Sequence, residues 1–150
     1  MTVMKKLFDM VLIQGNDICM GETYKGEVLI APTDKGYFNG EELKGVVVPV
    51  GMGIVYTKDP GKNDIKTTML LETDDGAKII MDMEAWFDID PDVEKKMSEG
   101  ISVDPDEYYY KGNVVFQTDS EKYKWLERKV CVCTTEVESW ERLHTTIYIV

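Results

Sequence analysis

Apolar and polar residues alternate along most of the chain with a period of two, the spacing of a strand that lays one face on a core. The clearest run is 77–87. There Ala77, Ile79, Met81, Met83, Ala85 and Phe87 share one face, while Lys78, Ile80, Asp82, Glu84 and Trp86 share the other. Runs at 7–14, 24–31, 65–73, 108–118, 128–134 and 143–150 predict further strands. The stretch 46–56, VVVPVGMGIVY, holds Pro49, which cannot donate to a ladder, and two glycines, Gly51 and Gly53. It predicts two strand segments meeting at a corner.

Turn chemistry separates these runs. Gly15-Asn16-Asp17 closes the first, and Pro32 ends the second. Asn39-Gly40 and Asp75-Gly76 are hairpin signals, and Asp59-Pro60-Gly61-Lys62 fits a type II turn. One helix stands out: Asp90 caps it, Pro91 takes its first position, Asp92 and Glu94 oppose the dipole, and Gly100 stops it. A short amphipathic turn with Tyr123, Trp125 and Leu126 reads as a plug over one end of a barrel. About nine or ten strands joined by hairpin turns predict an all-β fold, a single antiparallel β-barrel with one or two short helices. Closure of the sheet would remove its exposed edges.

At 150 residues the chain reads as one domain, 1–150, large enough for one good core. Its net charge of -11, from 28 acids against 17 bases, speaks against nucleic acid and anionic membranes as partners. No apolar run is long enough to span a bilayer. The N-terminal stretch MTVMKKLFDMVLIQG is interrupted by Asp9 and has no small-residue cleavage site, so it reads as a first strand and the protein as cytoplasmic.

Chemistry is sparse. Cys19, Cys131 and Cys133 are odd in number, and Cys131-x-Cys133 reads as buried thiols on one strand face. His144 is the single histidine, so a Cys–His pair would need Cys131 or Cys133 to meet it across neighbouring strands. Asp88, Asp90, Asp92 and Glu99 copy the acid spacing of a calcium loop, but Val93 stands where that loop needs glycine; the same residues read as a helix cap. No metal site and no cofactor motif is expected. Glu84 beside Trp86, and Tyr109 beside Lys111, are the candidate ligand-binding groups, with Met69 and Met83 as an adaptable lining. Tyr109 and Lys111 alternate with Tyr108 and Tyr110, so either set can face a pocket. Hydrophobicity favours the face opposite Asp82 and Glu84 as core, which leaves those carboxylates in water. No catalytic residue is singled out.

One set of motifs extends nearly end to end. It comprises Gly36-Tyr37-Phe38-Asn39-Gly40 with Leu43 and Gly45, then Thr73-Asp74-Asp75-Gly76, then Asp104-Pro105 and Tyr108 to Lys111, then Phe116 and Tyr123-Lys124-Trp125-Leu126 with Arg128. In this order the chain resembles domain of unknown function 3237, also called uncharacterised protein family 0311. The resemblance implies a small antiparallel β-barrel and no settled activity. Members carry Gly-Gly-x-Asp-Trp where this chain has Val50-Gly51-Met52-Gly53-Ile54. Thr68-Met69 stands for their Arg-Tyr, and Tyr109-Tyr110-Lys111 for their Tyr-Phe-Arg. The resemblance therefore implies a more apolar, less reactive pocket here.

Three functions fit these residues. The leading one is a barrel that binds a small apolar or aromatic organic ligand. An isomerase or cyclase using Lys111, Tyr109 and Glu84 is the second. A structural homo-oligomer, such as a homodimer, with a filled barrel is the third.

Overall fold

The computed structural model describes residues 3–150. Nine strands follow the alternating pattern: β1 (Lys5–Gln14), β2 (Ile18–Thr23), β3 (Gly26–Asn39), β4 (Lys44–Asp59), β5 (Lys62–Thr73), β6 (Lys78–Ile89), β7 (Tyr108–Thr118), β8 (Cys131–Val137) and β9 (Arg142–Ile149). One α-helix, α1 (Pro91–Ser98), joins β6 to β7. Short 3-10 turns lie at Pro105–Glu107 and Lys124–Arg128. The sheet runs β1-β9-β8-β7-β6-β5-β4-β3, all neighbours antiparallel, and β1 pairs again with β3 to close eight strands into a barrel. The expected all-β barrel with its helix is the observed fold.

Alternation fixes the inside. Along β6, Ile79, Met81, Met83, Ala85, Phe87 and Ile89 are buried, whereas Lys78, Ile80, Glu84, Trp86 and Asp88 are exposed. The Asp75-Gly76 turn forms as read, with Gly76 at φ 88°. The helix begins at Pro91, with Asp90 Oδ1 accepting from the Asp92 N–H at 2.8 Å. The acids that copied a calcium loop thus serve as a cap and an acidic first turn.

The structure departs from the sequence reading at four places. β2 leaves no strand signal in the sequence, because Ile18 to Glu22 are all exposed and carry no alternation. Tyr24 and Lys25 form the turn between β2 and β3, and β3 continues through Pro32 to Asn39. Pro32 is tolerated because it sits where β3 changes partners: Ile30 pairs with Ile18 of β2, and Thr33 with Gln14 of β1. Its carbonyl accepts from Gly15 N at 2.7 Å, so its missing N–H would have pointed into the same gap. β8 starts at Cys131 because Arg128 belongs to the 3-10 turn. The corner expected near Pro49 is a bulge within one long strand, between the pairs Val47↔Leu71 and Gly51↔Met69.

The two ends of the barrel are built differently. At one end the 3-10 turn drives Leu126 into the core, where it is 0% exposed. Phe8 packs at 5.2 Å from Phe38 and 6.2 Å from Phe116. The plug is latched to the β5–β6 turn. Tyr123 Oη donates to Asp75 Oδ2 at 3.0 Å, and Lys122 Nζ reaches the same oxygen at 2.8 Å. Lys122, Thr73 and Tyr123 together hold the Asp75 carboxyl well below the usual carboxylate range. At the other end α1 buries no residue; only Val93 and Met97 pack partly on the core.

Leu126→Ala should therefore cost about 3 kcal/mol, the range for a leucine deleted from a core that cannot collapse around the loss. The urea midpoint of the variant, at unchanged slope, measures it.

Candidate functional site

The incompletely filled end contains a cavity of about 480 Å³. It is framed by the last residues of β1, β4, β6 and β8, the first of β3, β5, β7 and β9, and α1 above them. In an antiparallel barrel all these strand ends meet at one rim. One small side chain, Ala31, lines the cavity wall and pairs with Gly53 of β4. Nothing equivalent to Leu126 is supplied by α1, so the space stays open. Its size falls in the range of small-molecule sites.

The floor is aromatic and aliphatic. Phe87 and Tyr110 stack with ring centroids 4.6 Å apart and planes 19° apart. Tyr108 meets Phe87 edge-on at 5.7 Å, and Trp140, from the β8–β9 turn, lies 6.4 Å from the same ring. Ile65 and Leu143 complete the apolar surface. Such clusters give flat, polarisable walls suited to an aromatic guest.

Polar groups on this floor are few and nearly all paired. Asn63 Oδ1 accepts from Thr57 Oγ1 at 2.6 Å, and Asn63 Nδ2 donates to the Phe87 carbonyl at 3.0 Å. Tyr108 Oη accepts from the Val137 N–H at 2.8 Å. Tyr110 is the exception. It is 6% exposed, and burial alone dominates its titration, with no hydrogen bond among the described residues. No fully enclosed side-chain oxygen among those residues lacks a partner, so the Tyr110 oxygen opens on the cavity it lines. Burial pushes this phenol far above the usual tyrosine range and keeps it a neutral donor. Cys133, also facing inward, is pushed up to about 11 by burial. Neither group is an anion near neutral pH.

The mouth is acidic. Asp17, Glu27 and Glu94 line it, and no lysine, arginine or histidine does. Partial burial, and then the nearby Glu141, raise the Asp17 pKa. A second hollow, about 310 Å³, lies at the plugged end beside Asp75 and Lys122, but these groups are already paired with each other.

The residues expected from sequence divide between the two faces of the wall. Glu84, Trp86, Tyr109 and Lys111 do come together, on the outside of β6 and β7, where Trp86 sits opposite Lys111. Trp86 is 51% and Tyr109 49% exposed. Lys111 Nζ donates to Thr134 Oγ1 at 3.2 Å and lies over the Tyr109 ring at 5.8 Å; Glu84 faces Lys66. Met69 and Met83 point inward but belong to the packed interior below the cavity. Cys131 and Cys133 face inward as well. His144 lies opposite Glu136 and contacts Asp9 at 3.1 Å, so no Cys–His pair forms.

The cavity is built from Tyr110, Phe87, Asn63 and Trp140; the sequence places Tyr110 in the alternative β7 set and Phe87 on the apolar face of β6, and marks neither Asn63 nor Trp140. For Tyr110 a signal existed. It shares its face with Gly112, Val114, Phe116 and Thr118, a cleaner inward track than Tyr109-Lys111-Asn113. Asn63 and Trp140 carried no such signal, because only the pairing order brings them to one rim.

Comparison with known proteins agrees with the fold. A family model described as a protein of unknown function, DUF3237, matches residues 3–150. A UPF0311 protein from Clostridium acetobutylicum is 25% identical over 130 residues, covering 86% of this chain and 82% of its own. Among solved structures, a conserved protein of unknown function from Rhodopseudomonas palustris superposes with a TM-score of 0.90 at 22% identity, covering 98% of this chain and 96% of that one. A beta-barrel like protein from Acinetobacter baumannii gives 0.85 at 29% identity, covering 98% and 94%. An enzyme from Penicillium herquei shares the fold at a TM-score of 0.69 and 19% identity, covering 97% and 93%.

Two expectations follow. Tyr108→Phe should lose about 1–2 kcal/mol, because it strands the Val137 N–H, whereas Tyr110→Phe, which removes an unpaired hydroxyl, should be neutral or stabilising; urea unfolding of both variants separates them. Folding also holds the proton on Cys133, so that contribution to stability is whole below pH 9.0 and is lost as pH climbs through about 11. Urea midpoints measured across this interval should fall, and fall less in Cys133→Ala.

Proposed function

We propose, for a chain that belongs to the DUF3237 family of proteins of unknown function, that the barrel binds a small, largely apolar and aromatic organic molecule at its α1 end. One observation carries this reading. The Tyr110 phenol, buried and without a protein partner, opens on an aromatic-floored cavity of about 480 Å³. An unpaired buried hydroxyl costs free energy unless something else accepts from it. A guest with an oxygen or nitrogen acceptor, stacked on Phe87 and Trp140, would fill that role.

The chemistry of the interior favours holding over turnover. Apart from the phenols of Tyr110 and Tyr123 and the thiols of Cys131 and Cys133, every buried polar side chain among the described residues is a threonine. Tyr110 and Cys133 keep their protons near neutral pH. The Lys111, Tyr109 and Glu84 group that an isomerase reading would use lies on the outer wall. Gly53, where relatives are expected to place an aspartate, is buried and carries no side chain, and Thr68, where they are expected to place an arginine, is on the outer face.

Cys19 offers a direct test. It lines the cavity mouth and is exposed, whereas Cys131 and Cys133 are buried. A thiol reagent should modify Cys19 quickly and the other two only on unfolding. Saturating 2-naphthol should slow the Cys19 reaction and raise the melting temperature; at about a hundred times the dissociation constant the added stability is roughly 2.7 kcal/mol. Tyr110→Phe should weaken that binding about tenfold, through one lost hydrogen bond. No protection of Cys19 and no melting shift, with 2-naphthol or with indole, would reject the proposal.

A further inference from the structure

We infer that the natural guest of this cavity is a cation, an aromatic or apolar body bearing an ammonium or comparable positive nitrogen directed at the mouth. The inference rests on the cavity reading above and adds the charge of the ligand to it. Its first support is the composition of the rim. Asp17, Glu27 and Glu94 come from three separate elements, the β1–β2 connection, β3 and α1, and converge on one opening. None of the three is in an ion pair among the described residues. The lysines close to them in sequence, Lys25, Lys95 and Lys96, do not line the cavity.

The second support is independent of those acids. Tyr110 is a buried, unpartnered donor aimed into the same space, which marks a place for a ligand rather than for bulk water. The third is the floor itself. Phe87, Tyr110 and Trp140 present π faces and edges to the cavity, and such faces attract cations. Carboxylates at the mouth and aromatic rings within both favour positive charge and disfavour negative charge. A carboxylate guest would meet acids at the rim and find no cation to pair with there. Partial burial, and after it the nearby Glu141, already hold the Asp17 proton more tightly.

The test is a matched series on one skeleton, followed by calorimetry at low ionic strength: 2-(1-naphthyl)ethylammonium, 2-(1-naphthyl)ethanol and 3-(1-naphthyl)propanoate. The ammonium should bind about tenfold more tightly than the alcohol, and the propanoate about tenfold more weakly, with both gaps narrowing as salt is added. The triple variant Asp17→Asn, Glu27→Gln, Glu94→Gln should bring the three within about twofold of one another. Asp17 and Glu27 are exposed and Glu94 is half-buried without an ion-pair partner among the described residues, so the fold should tolerate the changes. A control variant, Asp64→Asn, Asp88→Asn, Asp106→Asn, lowers the net charge equally by changing exposed acids that do not line the cavity, and should keep the preference. If the alcohol binds as well as the ammonium, if the propanoate binds best, or if the control abolishes the preference as fully as the rim variant, the cationic guest is rejected and the cavity reading survives. If none of the three probes binds, both fall.

Discussion

The pairing of β1 with β3 is the constraint on which everything else depends. Without it the sheet would be a long open ribbon with two free edges and no lumen. With it, eight strands close and every inward side chain acquires neighbours across the barrel. The seam demands close backbone approach. A Cβ at Gly36 would sit 2.5 Å from the Val11 carbonyl oxygen, so glycine there is a condition of closure. On its other edge β1 pairs with β9, and Asp9 accepts from Thr146 across that second junction at 2.9 Å.

Closure by itself gives a filled cylinder. The difference between its ends turns it into a vessel. One end is stoppered by Leu126 and held by the Asp75–Tyr123–Lys122 contacts. The other is overlaid by a helix that buries none of its residues, above a cavity wall that includes the small Ala31. The interior carries no buried charge among the described residues, and the buried hydroxyls of Thr135 and Thr145 are paired with each other at 2.8 Å. The acids that make the chain so negative are left to the outer surface and the rim.

Much of this architecture was legible in the sequence, because a period of two with one apolar face has few other solutions. The strand read at 77–87, the Asp75-Gly76 turn and the capped helix after Asp90 follow directly from residue type. β2 was illegible because it buries nothing, and Pro32 misled because its harmlessness depends on a change of partner that no local pattern records. The site was less legible for a related reason. On β7 both faces are aromatic, so a shift of one residue exchanges Tyr109 and Lys111 for Tyr108 and Tyr110. Phe87, Asn63, Trp140 and Leu143 are far apart in sequence and become neighbours only through the barrel's pairing order.

The place of β9 has a consequence for synthesis. It is the strand that bridges β8 and β1, so it joins segments from opposite ends of the translated order. A nascent chain that has emerged only as far as β8 already holds most of the sheet, yet it presents two unsatisfied borders, one on β1 and one on β8, each able to pair with a neighbouring polypeptide. Loop closure over so long a span is slow compared with local hairpin formation. The eight residues Arg142 to Ile149 therefore separate a self-contained molecule from an adhesive intermediate, and the ribosome supplies them after every other strand.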